Sequence, residues 1–93
     1  GLIGIAQCLA VEYGAANIRG NELVPGGTDT PMAESFTSDP ETRAMVEKFH
    51  ALGRIAEPME IAKAALFLAS DASSFVTGSA MLADGGTSIC KAA

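Results

Sequence analysis

The stretch Pro25-Gly26-Gly27-Thr28-Asp29-Thr30-Pro31-Met32 is the part of this chain best equipped for chemistry. Pro25-Gly26 stops a preceding apolar segment and leaves the main chain bare, so that a ligand can approach it closely. Thr28 and Thr30 supply hydroxyls. Thr30 also stands before a proline at the start of a predicted helix, whose unpaired N–H groups favour an anion. On spacing alone the same residues read first as an ordinary strand-to-helix turn with a threonine cap. Asp29, between two hydroxyl residues, reads as a capping or turn residue rather than as an acid or base. Arg54 reads as a structural salt bridge or a carbonyl cap. The single histidine, His50, cannot build a metal site and reads as solvated or packed. Cys8, on a helical apolar pattern, and Cys90, in the tail, read as buried or tail thiols of a reducing compartment.

Composition narrows the partners. Acidic residues number 11 and basic residues 6, for a net charge of −5. The basic side chains Arg19, Arg43, Lys48, Arg54, Lys63 and Lys91 are scattered, whereas nucleic-acid binding needs them clustered. Nucleic acid and anionic membrane are therefore not expected partners. With 48% hydrophobic and 18% charged residues the chain reads as globular. No apolar run reaches the ~18–20 residues of a membrane span, and no secretory leader pattern is visible.

The elements that must position the loop follow from periodicity and caps. Leu2, Ile5, Ala6, Leu9, Ala10 and Tyr13 fall at helical spacing, with Gly14 placed to end the helix in a left-handed cap. Ile18 to Val24 is a strand candidate closed by Pro25-Gly26. Thr30-Pro31 and Asp39-Pro40 each read as an N-cap followed by the first helical residue. Glu57-Pro58 repeats the signal, with Glu60 at the third helical position. A short helix around Met32 to Phe36 and a longer one from Pro40 to Leu52 are predicted between them. Pro58 to Ser70 is apolar nearly all round, since only Lys63 is polar between Ile61 and Ala69, and such a helix needs cover on more than one side. Ser79 to Ala83 is a second strand, ending at the turn Asp84-Gly85-Gly86. The order helix, strand, small helices, helix, strand predicts α/β architecture with the two strands parallel. Two strands and one crossover cannot cover both faces of such a sheet, so a large apolar area is expected to lie open.

Five blocks in this order resemble the C-terminal portion of the short-chain dehydrogenases/reductases. Gly1-Leu2-Ile3-Gly4 through Leu9-Ala10-Val11-Glu12-Tyr13 resembles the second half of the family's active-site helix. Ile18-Arg19-Gly20-Asn21 resembles the entry to its sixth strand, and Pro25 to Met32 its cofactor loop. Arg54-Ile55-Ala56-Glu57-Pro58-Met59-Glu60-Ile61-Ala62 with Leu66-Phe67-Leu68-Ala69-Ser70-Asp71 resembles the sixth-helix region. Phe75-Val76-Thr77-Gly78 and Asp84-Gly85-Gly86 resemble the last strand and its exit. Two positions depart from the pattern. Gly20 stands where an apolar residue, commonly Val, is usual, and Glu22 where a small one is; a buried carboxylate there needs a partner.

The resemblance implies the C-terminal part of a Rossmann-type doubly wound parallel sheet, with residues 1–93 belonging to a single NAD(P)-binding domain and residues 32–52 forming a substrate lid. It implies a cytoplasmic oxidoreductase that uses NAD or NADP to interconvert a small-molecule alcohol and carbonyl. Pro25, Gly26, Thr28 and Thr30 would contact the cofactor, and Met32, Phe36, Met45 and Phe49 would either line the substrate pocket or pack on the enzyme body. The helix Pro58–Ser70 and the strand Ser79–Ala83 would form a homo-oligomer interface. The family's glycine-rich dinucleotide loop, catalytic Ser and Tyr-x-x-x-Lys pair would lie upstream of Gly1. No such pair occurs here, because the only tyrosine, Tyr13, is followed four positions on by Asn17. The chain by itself is accordingly expected to be inactive, and a non-catalytic oligomerisation module derived from the same family is the alternative.

Overall fold

The computed structural model describes residues 1–90. The chain divides into two compact units, one formed by Gly1–Val24 with Lys63–Leu82, the other by Pro25–Ala62 with the described residues from Ala83 to Cys90.

In the first unit, α1 (Leu2–Tyr13) runs on into a 3₁₀ turn over Gly14–Ala16. Gly14 does not cap the helix. It is right-handed (φ −57°), and the left-handed residue is Asn17 (φ 61°), whose N–H donates to the Gly14 carbonyl. The small residues Gly14, Ala15 and Ala16 let the helix tighten before it ends. The positive φ then falls on asparagine, the short amide side chain that tolerates it best after glycine.

Strands β1 (Glu22–Pro25) and β2 (Ala80–Ala83) form a two-stranded sheet. Its register is parallel: Gly78 N–H meets the Gly20 carbonyl at 2.7 Å, Glu22 N–H the Ser79 carbonyl at 2.9 Å, and Gly26 N–H the Ala83 carbonyl at 3.2 Å. β1 starts at Glu22, later than the Ile18 expected from sequence; apart from the Gly20 carbonyl, residues 19–21 are held by side-chain hydrogen bonds. Arg19 donates to Ser73 Oγ (2.8 Å) and to the Ser70 and Val76 carbonyls (3.1 and 3.2 Å). Gly20 N–H donates to Thr77 Oγ1 (3.1 Å). Asn21 donates to the Val76 carbonyl (2.9 Å) and accepts from Ser79 N–H (3.1 Å). Glu22 Oε2 is buried with no hydrogen-bond partner among the described residues.

The apolar faces are open. Ala10, Ala33 and Ile55 are the only buried hydrophobic residues among those described. α4 (Pro58–Ala69) buries none of its side chains, and Leu66 is 67% exposed. Cys8 is exposed rather than buried, because it lies off the side of α1 that carries Ala10.

In the second unit the predicted caps are in place. Thr30 Oγ1 accepts from Ala33 N–H at the head of a 3₁₀ turn (Pro31–Ala33) that leads into α2 (Glu34–Thr37). Asp39 accepts from Thr42 N–H at the head of α3 (Pro40–Lys48). These hydrogen bonds, the Thr42 hydroxyl's first, hold the Asp39 carboxyl below its usual range. α3 ends at Lys48 and not at Leu52. Phe49 and His50 bond three residues back, to the Val46 and Glu47 carbonyls, and Gly53 takes φ 73°. At the head of α4, Glu60 accepts from Glu57 N–H (3.0 Å), the reciprocal half of a capping box. The same carboxylate binds Arg54 through two contacts, at 2.7 and 3.0 Å, which confirms the salt-bridge reading of that residue and raises its already high pKa.

Candidate functional site

The loop after β1 is built backbone first. Gly26 lacks a side chain for a reason other than ligand access: a Cβ there would lie 2.8 Å from the α-carbon and carbonyl oxygen of Asp84. The main chain after β2 thus fixes the start of the loop. Gly27 accepts from Ala56 N–H and Asp29 donates to the Ala56 carbonyl, both at 2.8 Å, so that Thr28 and Ala56 form a parallel bridge. Thr28 Oγ1 donates to the Gly26 carbonyl (3.1 Å), closing the loop on itself. Gly27 N–H is taken by the His50 ring, Nε2 accepting at 2.9 Å. Every residue from Gly26 to Thr30 is half-buried, and Pro25 is exposed.

Pro25, Gly26, Thr28 and Thr30 therefore share one short, heavily braced segment. Thr30 is extended (φ −127°, ψ 162°) and spends an oxygen lone pair on Ala33 N–H. A hydroxyl has one proton to donate as well. No acceptor for that proton occurs among the described residues, so Thr30 can donate to an anionic group. Asp29 is not the cap. Its carboxylate stands 4.0 Å from Arg43, which also reaches Glu47 at 3.9 Å. Arg43 closes one side of an open depression of about 400 Å³ lined by Asp29, Thr30, Pro31, Glu34, Thr37 and Ser38. With Asp29 and Glu47 beside the guanidinium and Glu34 in the lining, that depression is not an anion site in itself.

The opposite flank is the turn Asp84-Gly85-Gly86. Gly85 and Gly86 are consecutive left-handed residues (φ 59° and 88°). Asp84 accepts from Ser88 and Gly86 N–H groups, both at 3.0 Å, and these bonds hold its carboxyl below the usual range. A smaller cavity of about 160 Å³ lies among Gly26, Gly27, His50, Arg54, Asp84 and Gly85.

The sequence leaves His50 open between solvent and packing. The structure buries it (5% exposed), with its ring against the loop. Nothing in the local pattern marks this, since Gly27 lies 23 residues away. Met32, Phe36, Met45 and Phe49 are all exposed, Met32 at 90%. Both cysteines are free, with Cys90 Sγ donating weakly to the Lys48 carbonyl (3.7 Å). No group of three metal-ligating side chains occurs among the described residues, and none of their helices is long and apolar enough to cross a membrane.

A parallel β-strand pair with a helix between, and a glycine-bearing loop at the C-terminal end of the first strand, define part of a Rossmann-type fold. The family model described as enoyl-(acyl carrier protein) reductase matches residues 1–88, and the chain belongs to that family, within the short-chain dehydrogenases/reductases. It is 44% identical over 86 residues to a 2,5-dichloro-2,5-cyclohexadiene-1,4-diol dehydrogenase of Sphingobium indicum, covering 91% of this chain and 34% of that protein. Among solved structures it is similar to a 4-hydroxyisoleucine dehydrogenase complexed with NADH. There the TM-score is 0.91 and the identity 33%, over 97% of this chain and 37% of the other. It is also similar to a putative 2-deoxy-D-gluconate 3-dehydrogenase from Agrobacterium tumefaciens with bound NADP. There the TM-score is 0.87 and the identity 32%, over 94% and 35% of the two chains. The chain thus spans about a third of the length of the relatives it matches.

Proposed function

We propose that this chain is the C-terminal part of a single NAD(P)-binding domain in an oxidoreductase that interconverts an alcohol and a carbonyl. When bound, the nicotinamide supplies the hydride chemistry. Pro25, Gly26, Thr28 and Thr30 hold it: the braced backbone of Pro25–Thr28 presents a fixed edge to the nicotinamide, and the Thr30 hydroxyl donates to a phosphate oxygen. The observation that carries this reading is a Thr30 proton with no acceptor among the described residues, on a segment that the main chain at Ala83 and Ala56 and the His50 ring hold in place. A rigid donor costs little to order on binding, which is where affinity comes from.

Residues 32–52 act as the substrate lid. Their exposed apolar side chains Met32, Phe36, Met45 and Phe49 suit a fairly apolar small molecule once something closes over them. The open face of α4 and the strand β2 suit a homo-oligomer interface, and a cytoplasmic setting fits the free thiols. Lacking a Tyr-x-x-x-Lys pair, the 93-residue chain turns over no substrate by itself.

Titrating the full-length protein with NADH and NADPH tests the reading. Binding of one of them at micromolar concentrations, weakened about tenfold by Thr30→Val and restored by Thr30→Ser, supports it. A stable oligomer that binds neither nucleotide supports the oligomerisation module instead.

A further inference from the structure

We infer that His50 is a positioning residue that couples the lid to the nucleotide loop, through a single imidazole tautomer. The inference rests on reading Pro25–Thr30 as that loop. The His50 ring is buried at 5% exposure in the turn after α3. Its Nε2 lies 2.9 Å from Gly27 N, and its Nδ1 lies 2.9 Å from the Val46 carbonyl oxygen. A backbone N–H can only donate and a carbonyl can only accept. The neutral ring with its proton on Nδ1 is therefore the one form that satisfies both. The ring spans from the last turns of the lid helix to the amide beside Thr28.

Space reinforces the bond. A Cβ on Gly27 would come within 3.0 Å of His50 Cε1 and 3.1 Å of Nε2, and one on Gly85 would touch Cδ2 at 3.5 Å. The imidazole is thus packed against the bare backbones of the loop and of the turn after β2. The next residue but one, Leu52, donates its N–H to the Gly85 carbonyl at 3.0 Å, so the ring cannot withdraw without breaking a second tie. Removing the Nε2 acceptor leaves the Gly27 N–H half-buried and unpaired, and the loop must rotate to find water. His50 touches neither substrate nor nucleotide on this reading. It sets where Gly27 and Thr28 stand, and it does so in register with Val46 on the lid.

The test uses the full-length protein, labelled with ¹⁵N-histidine, and two variants. His50→Gln offers an amide oxygen at the reach of Nε2; His50→Asn is too short to reach Gly27 but keeps an amide donor for Val46. The imidazole ¹⁵N shifts of the wild type should show the proton on Nδ1. His50→Asn should weaken binding of NADH or NADPH about tenfold, and His50→Gln should recover to within about threefold of the wild type. Melting curves recorded alongside show whether both variants are folded, and a purely structural role would lower them without separating their affinities. A proton on Nε2, or equal nucleotide affinity in wild type and His50→Asn, overturns the inference while leaving the loop assignment intact. Failure of the wild type to bind either nucleotide overturns the loop assignment, and the inference falls with it.

Discussion

Gly26 and Asp84 meet main chain to main chain: a methyl group on Gly26 would sit 2.8 Å from both the α-carbon and the carbonyl oxygen of Asp84. Neither side of that contact is a flexible side chain, so nothing can yield cheaply. Gly26→Ala should cost about 2–3 kcal/mol by forcing the two backbones apart. Gly20→Ala is the control. Its Cβ would meet the Ala6 carbonyl oxygen at 3.4 Å and Leu9 Cβ at 3.7 Å, ordinary contact, and its φ is not positive. That change should stabilise by about 0.4–1 kcal/mol, chiefly by restricting the unfolded chain. Urea unfolding of the two variants should move in opposite directions.

Thr30 carries two duties that can be separated. Its oxygen caps the turn at Pro31–Ala33, and on the proposed reading its proton goes to the nucleotide. Thr30→Ala should lose about 1 kcal/mol of stability with the cap. Thr30→Asn keeps a capping oxygen and should restore the stability while leaving nucleotide binding impaired, because the amide changes the reach and direction of the donor. Thermal melting and nucleotide titration on the same samples would show the split.

Glu22 is predicted to destabilise the strand that carries it. Its Oε2 is buried without a partner among the described residues, which is costly for any carboxylate oxygen. Glu22→Ala, a residue type usual at this position in the family, should raise stability of the 93-residue chain by about 1 kcal/mol in a denaturant titration. A loss of stability on this change would mean the carboxylate has a partner.

The acid limb of stability should depend on Asp84 and Asp39. Both carboxyls are held below the ordinary value of 3.8, Asp84 mainly by the Ser88 and Gly86 amides and Asp39 mainly by Thr42. A folded-state value lower than the unfolded one means that the native chain releases its proton more readily. The stabilisation is therefore present above the unfolded carboxyl's value and lost as pH falls through the depressed one. Asp84→Asn should flatten the fall in melting temperature below about pH 4 relative to the wild type.

Local chemistry was legible in the sequence and distant contacts were not. Thr30 and Asp39 were readable as caps because a cap needs only the residue, the proline after it and an amide three positions on. Parallel β1 and β2 followed from the crossover order. The family resemblance located the loop at Pro25–Met32. Gly14 misled because a glycine after a helix usually takes the left-handed position, and here two alanines let the helix tighten until Asn17 took it instead. The late start of β1 depends on Arg19 and Asn21 reaching residues more than 50 positions away, beyond any local pattern. The reason for Gly26 likewise lies in the main chain at Asp84, and the role of His50 in an amide far upstream.

Hydrogen exchange of the full-length protein, with and without saturating nucleotide, reads nucleotide contact at the loop amide by amide. NADH or NADPH should slow exchange of the Gly27 to Thr30 amides more than that of α3 or α4. Saturating binding that leaves the peptide spanning Pro25–Thr30 unchanged, while protecting other parts of the protein, would contradict it.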